Sequence, residues 1–244
     1  MARETGITWC DSTMNFWTGC TKVSPGCKNC YAENWAKASG RPHLWKGARE
    51  RTKDWRGPPK WNREAFEAGI RQKVFTNSLS DFFDNQADAT WRASAWHMIK
   101  STPSLDWLIL TKRPQNIADM LPPDWTLEGY PNVWLGVTAE NQEEFNRRVP
   151  LLIGIPAVVH FISAEPLLGP IDMREWIHFI QWVIVGGESG TRNLRRDMDL
   201  AWAYDIKDQC ARAGVPFFGK QLNKVQPLPD DLDLHGWPSV GRTA

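Results

Sequence analysis

Residues 107–114 read WLILTKRP, an apolar run that ends in a threonine, two cations and a proline. Apolar runs without alternation are typical of strands that are buried on both faces of a parallel sheet. Similar runs recur roughly every 25 to 35 residues along the chain. They are residues 73–77 (KVFTN), 133–138 (VWLGVT), 158–163 (VVHFIS), 182–186 (WVIVG) and 215–219 (VPFFG). The repeat therefore predicts six parallel strands.

The stretches between these runs carry helix signals. Residues 86–100 place Ala, Trp and Met at helical spacing, and residues 141–153 open with an asparagine N-cap and two acidic residues. Residues 199–213 stop before Gly214, a typical helix end. Alternating strands and helices predict an α/β fold, either a doubly wound sheet or a partial or complete β/α barrel of the TIM type.

Polar residues follow every predicted strand, which favours the barrel. In a β/α barrel all strand C-termini open on one face, where active sites are built. The alternative is that loops are polar in general, and that Ser, Asn and Asp serve as helix caps. The candidate site residues at these strand ends are Asn77, Ser78, Ser80, Asp81, Lys112, Arg113, Thr138, Glu140, Glu165, Glu188 and Lys220.

The composition is that of an ordinary globular protein, with 42% hydrophobic and 23% charged residues and a net charge of +1. No apolar run reaches the length of a membrane span, and the first residues lack a signal segment. We therefore expect a cytoplasmic protein without membrane contact, in which cysteines stay reduced. We expect one barrel domain over residues 1–221 and a C-terminal tail over residues 222–244.

Three cysteines lie within eleven residues, at Cys20, Cys27 and Cys30. Clustered thiolates suit zinc and iron–sulfur centres. Zinc sites usually combine two C-x2-C knuckles, whereas only Cys27 and Cys30 form a knuckle here. Three ligands favour a [4Fe–4S] cluster with one open iron, and a closed zinc site with Cys10 as fourth ligand is the main alternative. Free thiols without a metal are the remaining possibility. In the cluster interpretation Cys10 takes no part in metal binding.

The segments at residues 7–20 and 24–33 resemble a phage and prophage family of uncharacterised three-cysteine proteins. Residues 77–83, 110–114, 132–141, 162–170 and 183–190 look like the same family's other motifs, so the resemblance extends from about Ile7 to Gln221. That family is grouped with radical S-adenosylmethionine proteins, with spore photoproduct lyase among its suggested relatives. The resemblance implies a partial β/α barrel whose cluster loop lies at the top of the first strand.

This chain departs from the radical enzyme pattern in two places. The usual C-x3-C-x2-C spacing is C-x6-C-x2-C here. The usual Gly-Gly-Glu motif follows the second strand, whereas Gly186-Gly187-Glu188 follows a late one. The earlier strand end at residues 77–81 is the hypothetical substitute for holding the methionine amine.

The resemblance implies an enzyme that binds a [4Fe–4S] cluster and S-adenosylmethionine and depends on an electron donor. Reductive cleavage of S-adenosylmethionine would release a 5′-deoxyadenosyl radical, which takes hydrogen from the substrate. Lys112, Arg113 and Lys220 are candidates to pair with a carboxylate or phosphate, and Glu165 to orient substrate or act as acid or base. The candidates for the amine and ribose of S-adenosylmethionine are Asn77, Ser78, Ser80, Asp81, Thr138, Glu140 and Glu188. For each residue, an ion pair or cap around the barrel mouth is the structural alternative.

The segment from Arg41 to Arg63 suggests a substrate. It carries eight basic and two acidic residues, a net charge of +6, together with Trp45, Trp55 and Trp61. Basic side chains neutralise phosphates, and indoles stack on unpaired or extruded bases. We therefore predict contact with DNA or RNA, against the alternative of a surface loop whose tryptophans pack back on the barrel. The competing function is a non-catalytic zinc- or cluster-binding phage protein that serves as a nucleic-acid or partner-protein binding module.

Overall fold

The computed structural model describes residues 5–190, 194–222 and 226–239. Within these ranges nine strands form two sheets. The strands are β1 (Ser12–Met14), β2 (Trp17–Thr18), β3 (Glu50–Arg51), β4 (Gln72–Thr76), β5 (Leu105–Thr111), β6 (Val133–Thr138), β7 (Val159–Ala164), β8 (Trp182–Gly186) and β9 (Phe217–Gln221).

The larger sheet contains seven strands, all parallel, in the order β1, β4, β5, β6, β7, β8, β9. It curls into a half barrel with β1 and β9 at its two edges. The strand order follows the chain, whereas a doubly wound sheet reverses its order at a switch point. The prediction of a partial β/α barrel is confirmed, and each of the six predicted runs forms a strand.

The strands are buried on both faces, as their continuous apolar runs predict. In β8, Val183 and Val185 belong to a core that includes residues of the helices, whereas Trp182 and Ile184 belong to a second core without helix residues. Helices cover the outside of β/α barrels, so the second core fills the inside of the curl. It is rich in aromatic rings, among them Trp9, which reaches in from the segment before β1.

Six helices lie in the described part of the chain: α1 (Tyr31–Ala38), α2 (Gly57–Glu67), α3 (Ala89–Lys100), α4 (Ile117–Met120), α5 (Gln142–Ile153) and α6 (Leu200–Ala213). The three predicted helices are α3, α5 and α6. The Asn141 side chain accepts a hydrogen bond from Glu144 N, which confirms the predicted N-cap of α5. Gly214 has φ of 70° at the end of α6, a left-handed conformation that favours glycine. The longest apolar stretches of these helices are too short to cross a membrane.

The region between β1 and β4 contains strands and a helix that the alternation of strands and helices in the sequence does not predict. β2 and β3 pair antiparallel, and α2 follows β3. Trp61 is buried in α2, and Trp55 packs against the same core. Two of the three tryptophans of the Arg41–Arg63 segment therefore pack back on the sheet.

The tail covers the edge of the sheet at β9. Gly219 N donates to Leu234 O at 2.8 Å, and Gly236 N donates to Phe217 O at 2.9 Å. Leu232 is fully buried beneath this crossing. Pairing of an edge strand removes exposed backbone donors and acceptors. Parts of the predicted tail, residues 223–225 and 240–244, lie outside the described residues.

Candidate functional site

A cavity of about 380 Å³ opens at the C-terminal ends of the strands of the half barrel. Cys20, Cys27 and Cys30 all line it. The strand-end candidates that line it are Asn77, Ser78, Ser80, Asp81, Lys112, Arg113, Thr138, Glu165, Glu188 and Lys220. The predicted residues are therefore brought together at one site, with the exception of Glu140, which does not line the cavity.

The three cysteines lie on one segment between β2 and α1, and each has a different local structure. Cys20 follows β2, and its backbone N–H donates to Leu44 O at 3.1 Å. Cys27 ends a 3-10 turn over Pro25–Cys27, and Cys30 is the residue before the first turn of α1. None of the three forms a disulfide.

The three cysteines of this loop are half-buried. Burial raises the pKa of the Cys20 thiol to about 11, with Asp81 adding to the shift and Arg113 opposing it. Burial also raises the pKa of Cys30. Thiols with raised pKa values carry protons at neutral pH, so binding of a metal would release those protons.

The donor set fits a soft metal centre in chemical type, because three free thiols face one cavity. In the described ranges no group of three or more His, Cys, Asp or Glu side chains is already gathered closely enough to hold an ion. Binding would therefore require the thiol side chains to turn toward a common centre. Cys10 lies away from the cavity, buried in the inner core, with its thiol 3.6 Å from Ile7 O.

The strand end after β4 is tied to the strand end after β5. Asp81 accepts hydrogen bonds from Thr111 Oγ1 at 2.6 Å, Lys112 N at 3.0 Å and Arg113 Nη1 at 3.1 Å, and also from Phe83 N. Four donors occupy the acceptor capacity of a carboxylate. The hydroxyls of Ser78 and Ser80 are also bonded within the protein. The assignment of this strand end to an amine stays a prediction, and the Asp81 carboxylate is already engaged.

Arg113 contacts the first cysteine directly. Its Nη1 lies 3.5 Å from Cys20 Sγ, and its Nη2 donates to Thr21 O at 2.9 Å. The side chain is only 6% exposed. The guanidinium is thus bonded to the cysteine loop and to Asp81, whereas the sequence suggested a contact with a ligand anion.

A carboxylate and an ammonium meet on the other side of the cavity. Glu165 Oε2 and Lys220 Nζ are 2.5 Å apart, and Trp9 Nε1 donates to Glu165 Oε1 at 3.2 Å. Lys112, the remaining cation of the cavity lining that we predicted, donates to Thr138 Oγ1 at 3.2 Å. These groups are positioned by strand ends that come together only through the curl of the sheet.

Glu140 and Glu188 contact the cysteine loop. Gly26 N donates to Glu140 Oε1 at 2.9 Å, and Asn29 Nδ2 donates to Glu188 Oε2 at 2.9 Å. Burial by itself would raise the pKa of Glu140, but Arg148 and Lys112 outweigh it and hold that pKa below its ordinary value. Glu140 and Glu188 both accept hydrogen bonds from the loop with lowered pKa values, and their assignment to S-adenosylmethionine stays a prediction.

The basic segment divides into paired and free cations. The Arg49 side chain is buried against Asp84, with Nη2 and Oδ2 2.6 Å apart. Lys46 and Lys53 are exposed, and Arg51 is exposed with its guanidinium 4.3 Å from the Trp55 ring centroid. Arg49 is thus a structural residue, although its charge contributed to the predicted nucleic-acid surface.

Several residues of the cavity are not evident from strand-end reasoning. Trp9 precedes β1, Tyr31 begins α1, and Trp45 ends a 3-10 turn, yet all three line the cavity. Their signal in the sequence is their proximity to the cysteine segment. Arg148 is the fully buried partner of Glu140. The sequence indicates this residue only weakly, through its i,i+4 spacing from Glu144.

Comparison with known proteins identifies a family. A family model described as Protein of unknown function (DUF5131) matches residues 4–231. Among curated proteins, none matches the chain. One similar solved structure is a spore photoproduct lyase mutant with bound AdoMet and dinucleoside spore photoproduct, with a TM-score of 0.47 and 11% identity over 84% of this chain and 73% of that chain. Because the family model covers most of its length, the chain belongs to the family of proteins of unknown function called DUF5131.

Proposed function

We propose that this chain is an iron–sulfur enzyme of the radical S-adenosylmethionine type that acts on a nucleic acid or a nucleotide. The observation that carries the proposal is that Cys20, Cys27 and Cys30, all free, line one cavity at the C-terminal edge of a parallel half barrel. This edge carries the active site in β/α barrels. The phage or prophage origin is a separate expectation and stays a prediction.

In this proposal the three cysteines hold a [4Fe–4S] cluster, and S-adenosylmethionine lies beside the strand ends of the same cavity. When bound and reduced by an electron donor, these groups supply a 5′-deoxyadenosyl radical for hydrogen abstraction. The Trp9 and Phe75 side chains line the cavity and keep water from its inner wall.

The polar residues of the cavity have separate tasks. Within the described ranges Lys112 Nζ makes one hydrogen bond, to Thr138, and an ammonium carries three donors. Two donors therefore remain for a carboxylate or phosphate of the ligand. Glu165, paired with Lys220, can orient a substrate hydroxyl or move a proton at Oε2.

The nucleic-acid part of the proposal is supported by the position of Trp45. This half-buried indole lines the cavity and is followed at once by exposed Lys46. An indole at a cavity wall can stack on an extruded base, while neighbouring cations neutralise phosphates. Lys46, Arg51 and Lys53 carry this role, and Arg49 does not.

Anaerobic reconstitution with iron and sulfide tests the metal centre. We expect a brown protein with about four irons per chain, and Cys27→Ala to abolish them. Addition of dithionite and S-adenosylmethionine should then yield 5′-deoxyadenosine. A colourless protein that retains one zinc per chain would replace the proposal with the zinc-binding alternative.

Mobility shifts of single-stranded DNA and RNA at low salt test the substrate class. We expect K46A/K53A to weaken binding and to reduce the slope of log K against log salt by about 0.7 for each phosphate contact that is lost on a single strand. The matched control R174A/R212A removes two exposed cations outside the segment and should bind like the parent. Equal binding by both double variants, or none by the parent, would refute this part of the proposal.

A further inference from the structure

The turn that contains Cys27 is held from the end of β6. Gly26 N, next to Cys27, donates to Glu140 Oε1 at 2.9 Å. The other carboxylate oxygen, Oε2, accepts from Arg148 Nη1 at 2.8 Å, and both side chains of this pair are fully buried. Arg148 Nη1 also donates to Thr138 O at 2.7 Å, so the pair is locked to the strand. A buried carboxylate fixed in this way presents Oε1 to the loop at one position.

The approach of the loop to Glu140 is close enough to require glycine. A Cβ at residue 26 would lie 2.9 Å from Glu140 Oε1 and 3.0 Å from its Cδ. These separations are shorter than van der Waals contact, and the carboxylate is pinned by Arg148. The residue between Pro25 and Cys27 is therefore matched to the carboxylate beneath it.

The part of the loop between the knuckle cysteines is held from the end of β8. Asn29, which lies between Cys27 and Cys30, donates through Nδ2 to Glu188 Oε2 at 2.9 Å. Arg196 pairs with the same carboxylate and donates through Nη2 to Pro25 O at 3.0 Å. Glu188 is 4% exposed. Two separate strand ends thus contact the two halves of one short loop.

We infer that Glu140 and Glu188 are positioning residues that hold the Cys27–Cys30 loop in the conformation that receives a metal, and that they do not bind the amine or ribose of a cofactor. The inference rests on the proposed function for the metal, whereas the loop contacts themselves involve protein atoms alone. Residues that hydrogen-bond to the ligands of a metal, or to the segment that carries them, orient those ligands and affect metal affinity. Pre-ordering of the loop also lowers the entropy that ordering it would cost when the metal binds.

Amide hydrogen exchange of the chain without metal tests whether Glu140 and Glu188 hold the loop. We expect the amides of residues 24–30 to exchange about tenfold faster in E140Q and in E188Q, because the neutral side chain keeps an acceptor oxygen but loses the charge that strengthens its hydrogen bonds; tenfold corresponds to about 1.4 kcal/mol. The peptide that covers α5 serves as the control for global stability in E188Q. Unchanged exchange of residues 24–30 in both variants would overturn the inference.

A double-mutant cycle tests the Gly26 contact, provided that all four proteins fold. G26A should speed exchange of the loop because its Cβ displaces the carboxylate. In an E140A background the obstacle is absent, so adding G26A should cause no further acceleration. Additive effects of the two substitutions would contradict a direct contact between residue 26 and Glu140.

The rate of iron release to a chelator tests whether these loop contacts affect metal binding. After reconstitution, E140Q and E188Q should release iron about 10- to 100-fold faster than the parent, the range by which changes in the partners of metal ligands alter metal affinity. Faster loop exchange with an unchanged rate of iron release would refute the metal-positioning role. Failure of the parent to bind iron would instead refute the proposed function. The exchange results would still decide whether Glu140 and Glu188 hold the loop.

Discussion

Gly136 lies in the middle of β6, opposite Phe161 of β7 in the parallel register. A Cβ at this position would lie 2.5 Å from three atoms of the Phe161 ring, Cε1, Cε2 and Cζ. Carbon atoms in good contact are about 3.5–4.0 Å apart. The substitution Gly136→Ala therefore requires the ring or the strands to move by about 1 Å or more.

The surroundings of Phe161 leave little room for that movement. The ring is fully buried, and its centroid lies 5.7 Å from that of Trp182 and 6.5 Å from that of Trp9. Overpacking of this kind costs about 1–3 kcal/mol of unfolding free energy. The loss of glycine freedom in the unfolded chain offsets about 0.4–1 kcal/mol. We expect G136A to lower the free energy of unfolding by about 1.3 kcal/mol, the difference between the midpoints of these two ranges.

Urea unfolding followed by tryptophan fluorescence measures this change, with an unchanged m value as the condition for comparing midpoints. The matched control is G154A, because its Cβ would meet atoms only at 3.7 Å, an ordinary contact. Phe161→Leu should rescue G136A in part, since the smaller side chain makes space for the methyl group. A midpoint of G136A equal to that of G154A would refute the reasoning.

Two further predictions concern other parts of the chain. Cys10→Ala should leave the iron content equal to that of the parent, because Cys10 is buried in the inner core and does not line the cavity, whereas Cys27→Ala should abolish it. Loss of iron in both variants would make Cys10 a ligand. Leu232→Ala should lower the free energy of unfolding by about 2–5 kcal/mol, because this tail side chain is fully buried. A loss below about 1 kcal/mol in urea unfolding would mean that the tail contributes little to the core.

The strands were predictable because hydrophobic runs buried on both faces leave a strong local signal. Residues 133–138 and 182–186 form strands with the predicted bounds. The predicted helix at residues 86–100 begins later, at Ala89, where Asp88 accepts a hydrogen bond from Thr90 N and caps it. The short strand β1 and the pairing of β2 with β3 were not predicted, because strands of two or three residues carry too few side chains for a periodic pattern.

The gathering of candidate residues at one cavity was predictable only in outline. Strand-end position places a residue at the correct edge of a barrel, but it does not say which partner the side chain meets. Asp81 and Arg113 bond to each other, and Arg113 contacts Cys20, although these residues are far apart in the chain. Glu140 contacts the turn next to Cys27 across a similar separation. Such partners depend on the curl of the sheet and on the path of the cysteine loop.

The amino-acid sequence by itself determined the α/β class, the succession of the six long strands along the chain and the presence of three clustered thiols. Each of these features depends on local patterns of a few residues. Only the tertiary structure decided that Arg49 is a buried partner of Asp84, and that Glu140 and Glu188 contact the loop between the cysteines. The physical reason is that a charged side chain near a strand end can meet a ligand, a cation or a backbone N–H. That choice is made by residues distant in the chain, which the curl of the sheet brings within hydrogen-bonding distance.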